Sequence, residues 1–360
     1  MLMQRKRYID VLRSVAILCM IEVHTSAQLA PTNISDDSLI VLIVASIGGL
    51  AAPLFITLSG WGVQHSLFQK TINLTAKNSL LYWAISRCLF LLFCQLIVNL
   101  IANHVFNWYS PGVLSLLAIC TILSIPLSKT KLKIRVFLFI LMFLTPLVNS
   151  YYFEINGSWD FLITSNSPYE WFERILFNGT YPLFPWAAFF LLGGILREGN
   201  DSLNNKMIGF GVFISSSFIL YSIITNRQWA LTQGDALLTF FPASVAFIIT
   251  ASTTVLLLFL VLKKYEGTLQ KIKLVEQFSK IGKLSLTIYL LHFIPLRILE
   301  ELALNNWSLL QAGIITLIFT FIWIPLSLIH DKWMKKYSFE SLLRYILAKK
   351  DIPSIYVSEP

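Results

Sequence analysis

The chain has 360 residues, of which 56% are hydrophobic and 13% are charged, and its mean hydropathy is +0.69. One soluble globule cannot bury so much apolar surface, which excludes a soluble enzyme or binding module and indicates an integral membrane protein. The net charge of +9 comes largely from basic residues between apolar segments, so it indicates contact with anionic lipid head groups and predicts no nucleic-acid partner.

Ten apolar segments follow one another along the chain. A helix of about 20 residues crosses a hydrocarbon core about 30 Å thick, and most of these segments approach or exceed that length. They predict an all-α fold, a polytopic bundle of about ten transmembrane helices. In chain order the segments are 8–29, 39–63, 78–101, 112–128, 134–149, 181–197, 207–225, 240–262, 282–303 and 308–329.

The distribution of lysine and arginine gives these segments a direction. Cytoplasmic loops next to a membrane are enriched in these residues, and 23 of the 28 lie on one side if the N-terminus is cytoplasmic. Both termini are therefore predicted to be cytoplasmic, with the protein in the plasma or inner membrane of a cell. We expect one transmembrane domain over residues 1–330 and an amphipathic cytoplasmic tail over 331–360.

The first segment, RYIDVLRSVAILCMIEVHTSA, carries Arg13 and His24, which are separated by ten residues. Eleven helical steps of about 100° return to within roughly 20° of the start, so both side chains lie on one face, about 16 Å apart along the axis. An ionisable side chain inside a bilayer costs at least about 2.5 kcal/mol on insertion scales, so the pair indicates function. Histidine titrates near neutral pH, which suits His24 to proton transfer.

Two acidic residues share that segment. Asp10 lies three residues before Arg13, close enough for a local ion pair, and the alternative for Arg13 is to reach lipid phosphate with no other role. Glu22 lies about 200° around the helix from His24, so we do not expect it to orient the imidazole directly. The catalytic candidates are His24, Asp10 and Glu22.

Later segments supply further candidates. Arg87 in the third segment and Ser59 in APLFITLSGWG of the second are expected in the inner half of the membrane, and helix packing is the alternative for Ser59. His292 in LTIYLLHFIPLR is open to both packing and function. The five histidines are dispersed and no HExxH motif occurs, so no metal site is predicted.

Four motifs in order resemble the membrane-bound acyltransferase family 3, within a wider transmembrane acyltransferase superfamily that includes heparan-α-glucosaminide N-acetyltransferase. They are the R-x10-H pattern from Arg13 to His24, APLFITLSGW, YPLFPWAAFFLLGGIL and GKLSLTIYLLHF. The likeness covers about residues 7–295. The PLFPW element and the closing SFESLLR are more similar to the heparan-type branch, and Arg87 stands where many family 3 members carry an R-x-x-R pair.

The resemblance implies acyl transfer across the membrane from cytoplasmic acetyl-CoA, or another acyl-CoA, to an acceptor on the outer side. It implies that Arg13, Arg87 and Ser59 bind the donor and that His24 is the general base, with a covalent acyl-histidine as the alternative. The acceptor is then expected to be the hydroxyl of a sugar on a lipid-linked or surface glycan. Substrate-binding candidates are Trp186, Tyr181, Tyr289 and His292.

The same residues are compatible with two other functions. N-acetylation of an amino sugar is the alternative within the same class, and a proton-coupled transporter or exporter is the alternative from another class, because it would also keep His, Glu and Arg inside its spans. Membrane lipids are expected partners, and a homo-oligomer is left open.

Overall fold

The computed structural model of the protein describes residues 6–31, 39–72, 77–153, 157–301 and 307–348. The last part of the predicted tail, residues 349–360, lies outside these ranges. The described elements, in chain order, are α1 (Arg7–Leu29), α2 (Leu39–Gly48), α3 (Ala51–Ile72), α4 (Lys77–Ile101), α5 (Val113–Ser128), α6 (Leu132–Met142), α7 (Thr145–Tyr152), α8 (Trp159–Ile163), α9 (Pro168–Glu173), a π-helical turn (Arg174–Asn178), α10 (Leu183–Glu198), α11 (Asp201–Thr225), β1 (Ala230–Gln233), β2 (Leu238–Phe241), α12 (Val245–Lys264), α13 (Glu266–Leu269), α14 (Lys273–Lys283), α15 (Ser285–Leu291), α16 (Phe293–Glu301), α17 (Leu309–Phe321), α18 (Trp323–Trp333) and α19 (Phe339–Ala348).

These elements form two compact units, and the division at residue 330 stays a prediction. The first unit joins Met1–Phe55 to Thr254–Glu340, and the second joins Ile56–Thr253 to Ser341–Pro360. The first unit therefore joins two segments that are distant in the sequence, while the second is formed mainly by the middle of the chain.

Helix α1 is the centre of the first unit, where α2, α14, α15, α16 and α17 pack against it. Its contact with α14 is a backbone contact. A Cβ on Gly282 would lie 2.1 Å from the carbonyl oxygen of Asp10, and the Gly282 amide donates to Ser14 Oγ at 2.9 Å. Ser14 Oγ in turn donates to the carbonyl of Phe278 at 2.8 Å. These contacts fix where α14 crosses α1.

The second unit has a similar close crossing, between α3 and α10. A Cβ on Gly193 would lie 2.0 Å from the carbonyl oxygen of Thr57, and one on Gly60 would lie 2.2 Å from that of Phe190. Small residues allow such an approach between membrane helices. Gly194 differs, because a Cβ there would meet nothing within 4 Å. The close contact between the helices is therefore made by Gly193 and Gly60.

The apolar helices are consistent with a polytopic membrane protein. Among the described residues, five helical stretches are long and apolar enough to cross a membrane, or up to eight if each of three bent pairs forms one span. Helix α1 is not among the five because its ionisable residues lower its hydropathy, and α5 is too short. Helix occupies all ten predicted segments, but the count of ten spans and the cytoplasmic termini stay predictions. The five stretches are Ile40–Gln69, Leu80–Ile101, Asp201–Thr225, Val245–Lys264 and Leu309–Trp333.

The expectation of an all-α fold needs one correction. Strands β1 and β2 pair in parallel, with Ala230 opposite Leu238 and Gln233 opposite Phe241. The eighth segment was predicted to be helical from residue 240, yet α12 begins at Val245. The physical reason is Pro242, since a residue that precedes proline is disfavoured in the α conformation. Phe241 therefore stays extended and ends a strand.

A charged cluster lies within the second unit. Arg135, in the first turn of α6, donates to Glu198 of α10 through both terminal nitrogens, at 3.0 and 2.5 Å, and Gln64 of α3 also donates to Glu198. The Arg135 side chain is only 6% exposed. Arg135 is therefore a buried connection between α6 and α10.

We expect Arg135→Ala to lower the free energy of unfolding by about 2 kcal/mol, because Glu198 loses two charge-assisted hydrogen bonds. The double variant Arg135→Leu with Glu198→Leu should lose much less, since no unpaired charge remains. Thermal unfolding of the detergent-purified protein measures both, with Lys133→Ala on the exposed face of α6 as the control. Equal losses in the single and double variants would contradict a role for charge pairing.

Candidate active site

Two histidines meet in the first unit. Nδ1 of His24, on α1, lies 2.8 Å from Nε2 of His292, at the junction of α15 and α16. The two rings are nearly parallel, at 6°, with centroids 5.1 Å apart. His292 is fully buried and His24 is half-buried. This direct hydrogen bond joins two residues that lie 268 positions apart in the sequence.

The proton positions in this pair follow from a third group. Nδ1 of His292 lies 3.2 Å from the carbonyl oxygen of Ile288, which can only accept a hydrogen bond. Nδ1 of His292 therefore carries the proton, and in the neutral ring Nε2 is the acceptor. His24 then donates from Nδ1. This leaves Nε2 of His24 as the nitrogen with a lone pair, so His24 is oriented as a base.

Aromatic rings surround the pair. Phe293 lies 4.1 Å from His292 and 5.0 Å from His24, centroid to centroid. Tyr289, one turn before His292, lies 5.8 Å from it and stacks on Phe55 at 6.0 Å. The structure thus brings together three of the candidates, His24, His292 and Tyr289, among aromatic rings.

The other end of α1 carries the predicted ion pair. Nη1 of Arg13 lies 3.7 Å from Oδ1 of Asp10, whose side chain is 5% exposed. The Asp10 carbonyl and the Arg13 Cβ also contact the backbone crossing at Gly282. Because α1 is one continuous helix from Arg7 to Leu29, the helical spacing that places Arg13 and His24 on one face holds throughout.

Glu22 lies apart from the histidine pair. Its Oε2 is buried, and within the described part of the chain it has no hydrogen-bond partner. The expectation that Glu22 does not orient His24 directly agrees with the structure, in which His292 occupies that position.

Four candidates belong to the second unit. Arg87 on α4 and Ser59 on α3 are both half-buried, and Ser59 directly precedes the crossing residue Gly60. Trp186 is 0% exposed, and its ring packs on Tyr181 at 4.8 Å and on Phe240 at 5.0 Å. The contacts of Trp186 are those of a packing residue, while its proposed role in acceptor binding stays a prediction.

Sequence reasoning missed two carboxylates that hold the helices of the histidine pair. Glu266 accepts from the amides of Arg7 and Tyr8, both at 2.8 Å, and so caps the first turn of α1. Glu340 accepts from the amides of Leu286 and Thr287 at the start of α15. The sequence shows both glutamates, but no local pattern reveals that each caps a helix distant along the chain.

Fold and site together define a multi-pass helical membrane protein with a hydrogen-bonded histidine pair between its first helix and a late one. A family model described as an acyltransferase domain matches residues 6–329. The protein therefore belongs to acyltransferase family 3, which confirms the resemblance seen in its motifs. No curated protein matches the chain.

Proposed function

We propose that this membrane acyltransferase is an O-acetyltransferase that moves an acetyl group from cytoplasmic acetyl-CoA to a hydroxyl of a surface or lipid-linked glycan. The observation that carries the proposal is the hydrogen bond from His24 to His292, because it leaves a basic nitrogen on His24. General bases of this kind contribute roughly 10²- to 10⁴-fold to a rate.

The proposed reaction has a simple balance. Nε2 of His24 takes the proton of the acceptor hydroxyl, and the oxygen of that hydroxyl attacks the carbonyl carbon of the thioester. A carbon–oxygen bond forms, the carbon–sulfur bond breaks, and the CoA thiolate leaves with the proton that His24 returns. His292 keeps the imidazole in the required tautomer throughout. In the alternative route, Nε2 of His24 attacks the thioester carbonyl, so that a carbon–nitrogen bond forms as the carbon–sulfur bond breaks, and the acceptor hydroxyl then attacks this acyl-histidine, forming the carbon–oxygen bond as the carbon–nitrogen bond breaks.

Donor binding is proposed for Arg13, which is half-buried and anchored by Asp10 at one end of the same helix. A guanidinium offers forked, charge-assisted contacts to phosphate groups such as those of CoA. Donor binding by Arg87 and Ser59 is proposed from the resemblance alone, as is acceptor binding by Trp186, Tyr181 and Tyr289. Asp10 serves in this proposal to hold Arg13.

The proposal is tested with purified protein in liposomes supplied with radiolabelled acetyl-CoA, and by mass spectrometry of surface glycans from cells with and without the protein. Acetate released by mild alkali indicates an ester and supports O-acetylation, whereas an alkali-stable amide indicates an amino-sugar acceptor. Wild-type protein that neither binds nor consumes any acyl-CoA contradicts the proposal. Proton flux into the liposomes driven by a solute gradient would instead favour the transporter.

We expect Arg13→Ala to raise the Kd for acetyl-CoA by about 10- to 100-fold. The basis is that a hydrogen bond to a charged group contributes about 1.5–3 kcal/mol, and each 1.4 kcal/mol is about tenfold in affinity. Equilibrium binding of tritiated acetyl-CoA measures the change. Arg227→Ala is the control, since Arg227 is an exposed arginine paired with Asp235 in the second unit. An equal Kd for acetyl-CoA in Arg13→Ala and Arg227→Ala would contradict donor binding by Arg13 and would favour contact of Arg13 with lipid phosphate.

A further inference from the structure

The first turn of α15 is held by a carboxylate from the beginning of α19. Oε1 of Glu340 accepts from the amide of Leu286 at 2.7 Å and from that of Thr287 at 3.1 Å. Oε2 of Glu340 accepts from the Thr287 hydroxyl at 2.5 Å, and Thr287 Oγ1 itself accepts from the Phe339 amide at 2.9 Å. Four hydrogen bonds therefore join two segments separated by more than fifty residues.

This capping matters because α15 is short and lacks a local cap. It has seven residues, and the preceding residue, Leu284, makes no side-chain capping hydrogen bond. The first amides of any helix have no partner inside the helix, and a carboxylate at that end also interacts favourably with the helix dipole. Glu340 thus supplies from a distance the cap that most helices obtain from the residue before them.

The capped turn leads directly to the histidine pair. Ile288 follows Thr287 in sequence, and its carbonyl is the acceptor that fixes the proton of His292 on Nδ1. His292 then accepts the hydrogen bond that leaves Nε2 of His24 unprotonated. A shift of the first turn of α15 would move the Ile288 carbonyl, and with it the group that sets the tautomer of both rings.

We propose that Glu340 is a positioning residue for the histidine pair: its carboxylate fixes the first turn of α15 and thereby the proton arrangement of His292 and His24. The effect on transfer rate rests on the proposed function, whereas the effect on the histidines does not. The segment SFESLLR, which lies within the predicted amphipathic tail, then carries a residue that positions the histidine pair.

The experiment uses the full-length protein labelled with ¹⁵N in its histidine rings and reconstituted in liposomes. The chain has only five histidines, and ring ¹⁵N shifts separate protonated from unprotonated nitrogens, so the signals of His24 and His292 can be assigned with single substitutions. The variants are Glu340→Ala, which removes the cap, and Glu340→Gln, which keeps one acceptor oxygen. Glu276→Ala is the matched control, since Glu276 is exposed and its carboxylate makes a 3.6 Å contact with Arg7.

We expect Glu340→Ala to change the ring shifts of His292 and His24, Glu340→Gln to restore most of the wild-type pattern, and Glu276→Ala to leave it unchanged. In the transfer assay, Glu340→Ala should lower kcat by about 10- to 100-fold and leave KM for acetyl-CoA unchanged. The reason is that small displacements of catalytic groups have effects of that size.

Unchanged histidine shifts in Glu340→Ala would overturn the proposal, as would equal changes in Glu340→Ala and Glu276→Ala. If Glu340→Ala does not yield folded protein, Glu340→Asp takes its place, because its side chain is one methylene shorter and draws the carboxylate away from the amides of Leu286 and Thr287, and unchanged shifts there would overturn the proposal equally. A wild-type protein that consumes no acyl-CoA contradicts the proposed function alone, since the shifts still decide the role of Glu340.

Discussion

His24→Ala is expected to reduce acetyl transfer by about 10²- to 10⁴-fold, the contribution usual for a general base, while binding of acetyl-CoA is retained. The reason is that the basic nitrogen of the pair belongs to His24, whereas Arg13 lies about 16 Å away along the same helix. Transfer is measured with radiolabelled acetyl-CoA in liposomes, and binding is measured separately on the same preparation.

The control for that variant is His330→Ala. His330 also belongs to the first unit, but its imidazole bonds to the carbonyl of Tyr337 at 2.8 Å, outside the histidine pair. Wild-type transfer in His24→Ala would show that the mechanism is wrong even within an acyltransferase. Full loss of donor binding in His24→Ala would show instead that the imidazole holds the donor.

Gly193→Ala is expected to destabilise the protein by about 3 kcal/mol or more, or to prevent folding. A single added methyl would lie 2.0 Å from the carbonyl oxygen of Thr57 and 2.6 Å from the amide nitrogen of Trp61. Both are backbone atoms that can move away only if the helices separate, and overpacking of this kind ranks among the most damaging substitutions. Thermal unfolding and size-exclusion profiles in detergent measure the loss.

The neighbouring glycine provides a control at the same depth of the same helix. Gly194→Ala adds its methyl where nothing lies within 4 Å, and alanine is the better helix former by about 1 kcal/mol. We therefore expect stability equal to or slightly above that of the wild type. A large loss in Gly194→Ala, or none in Gly193→Ala, would contradict the crossing between α3 and α10.

Much of the fold could be predicted from hydropathy, because a membrane-spanning helix must be apolar over its whole length and satisfies its backbone internally. Helix is present in all ten predicted segments. The β1–β2 pair escaped prediction since four-residue strands next to an apolar helix share its composition. The breaks within α2–α3, α15–α16 and α17–α18 also leave little trace in an apolar sequence.

The candidate site was predictable along one helix and less so across helices. The helical period placed Arg13 and His24 on one face and paired Asp10 with Arg13, since both depend on local geometry alone. His292 was recognised as a candidate, but its bond to His24 depends on how α15 packs against α1. The roles of Glu266 and Glu340 as caps depend on the same kind of long-range contact.

The sequence by itself determined that this is a multi-pass helical membrane protein of acyltransferase family 3, because composition and ordered motifs are properties of the chain before it folds. Only the tertiary structure decided that His24 is hydrogen-bonded to His292, that Arg135 is buried against Glu198, and that Glu340 caps α15. The physical reason is that a hydrogen bond or ion pair requires its two groups to lie about 3 Å apart, and only packing brings such distant residues together.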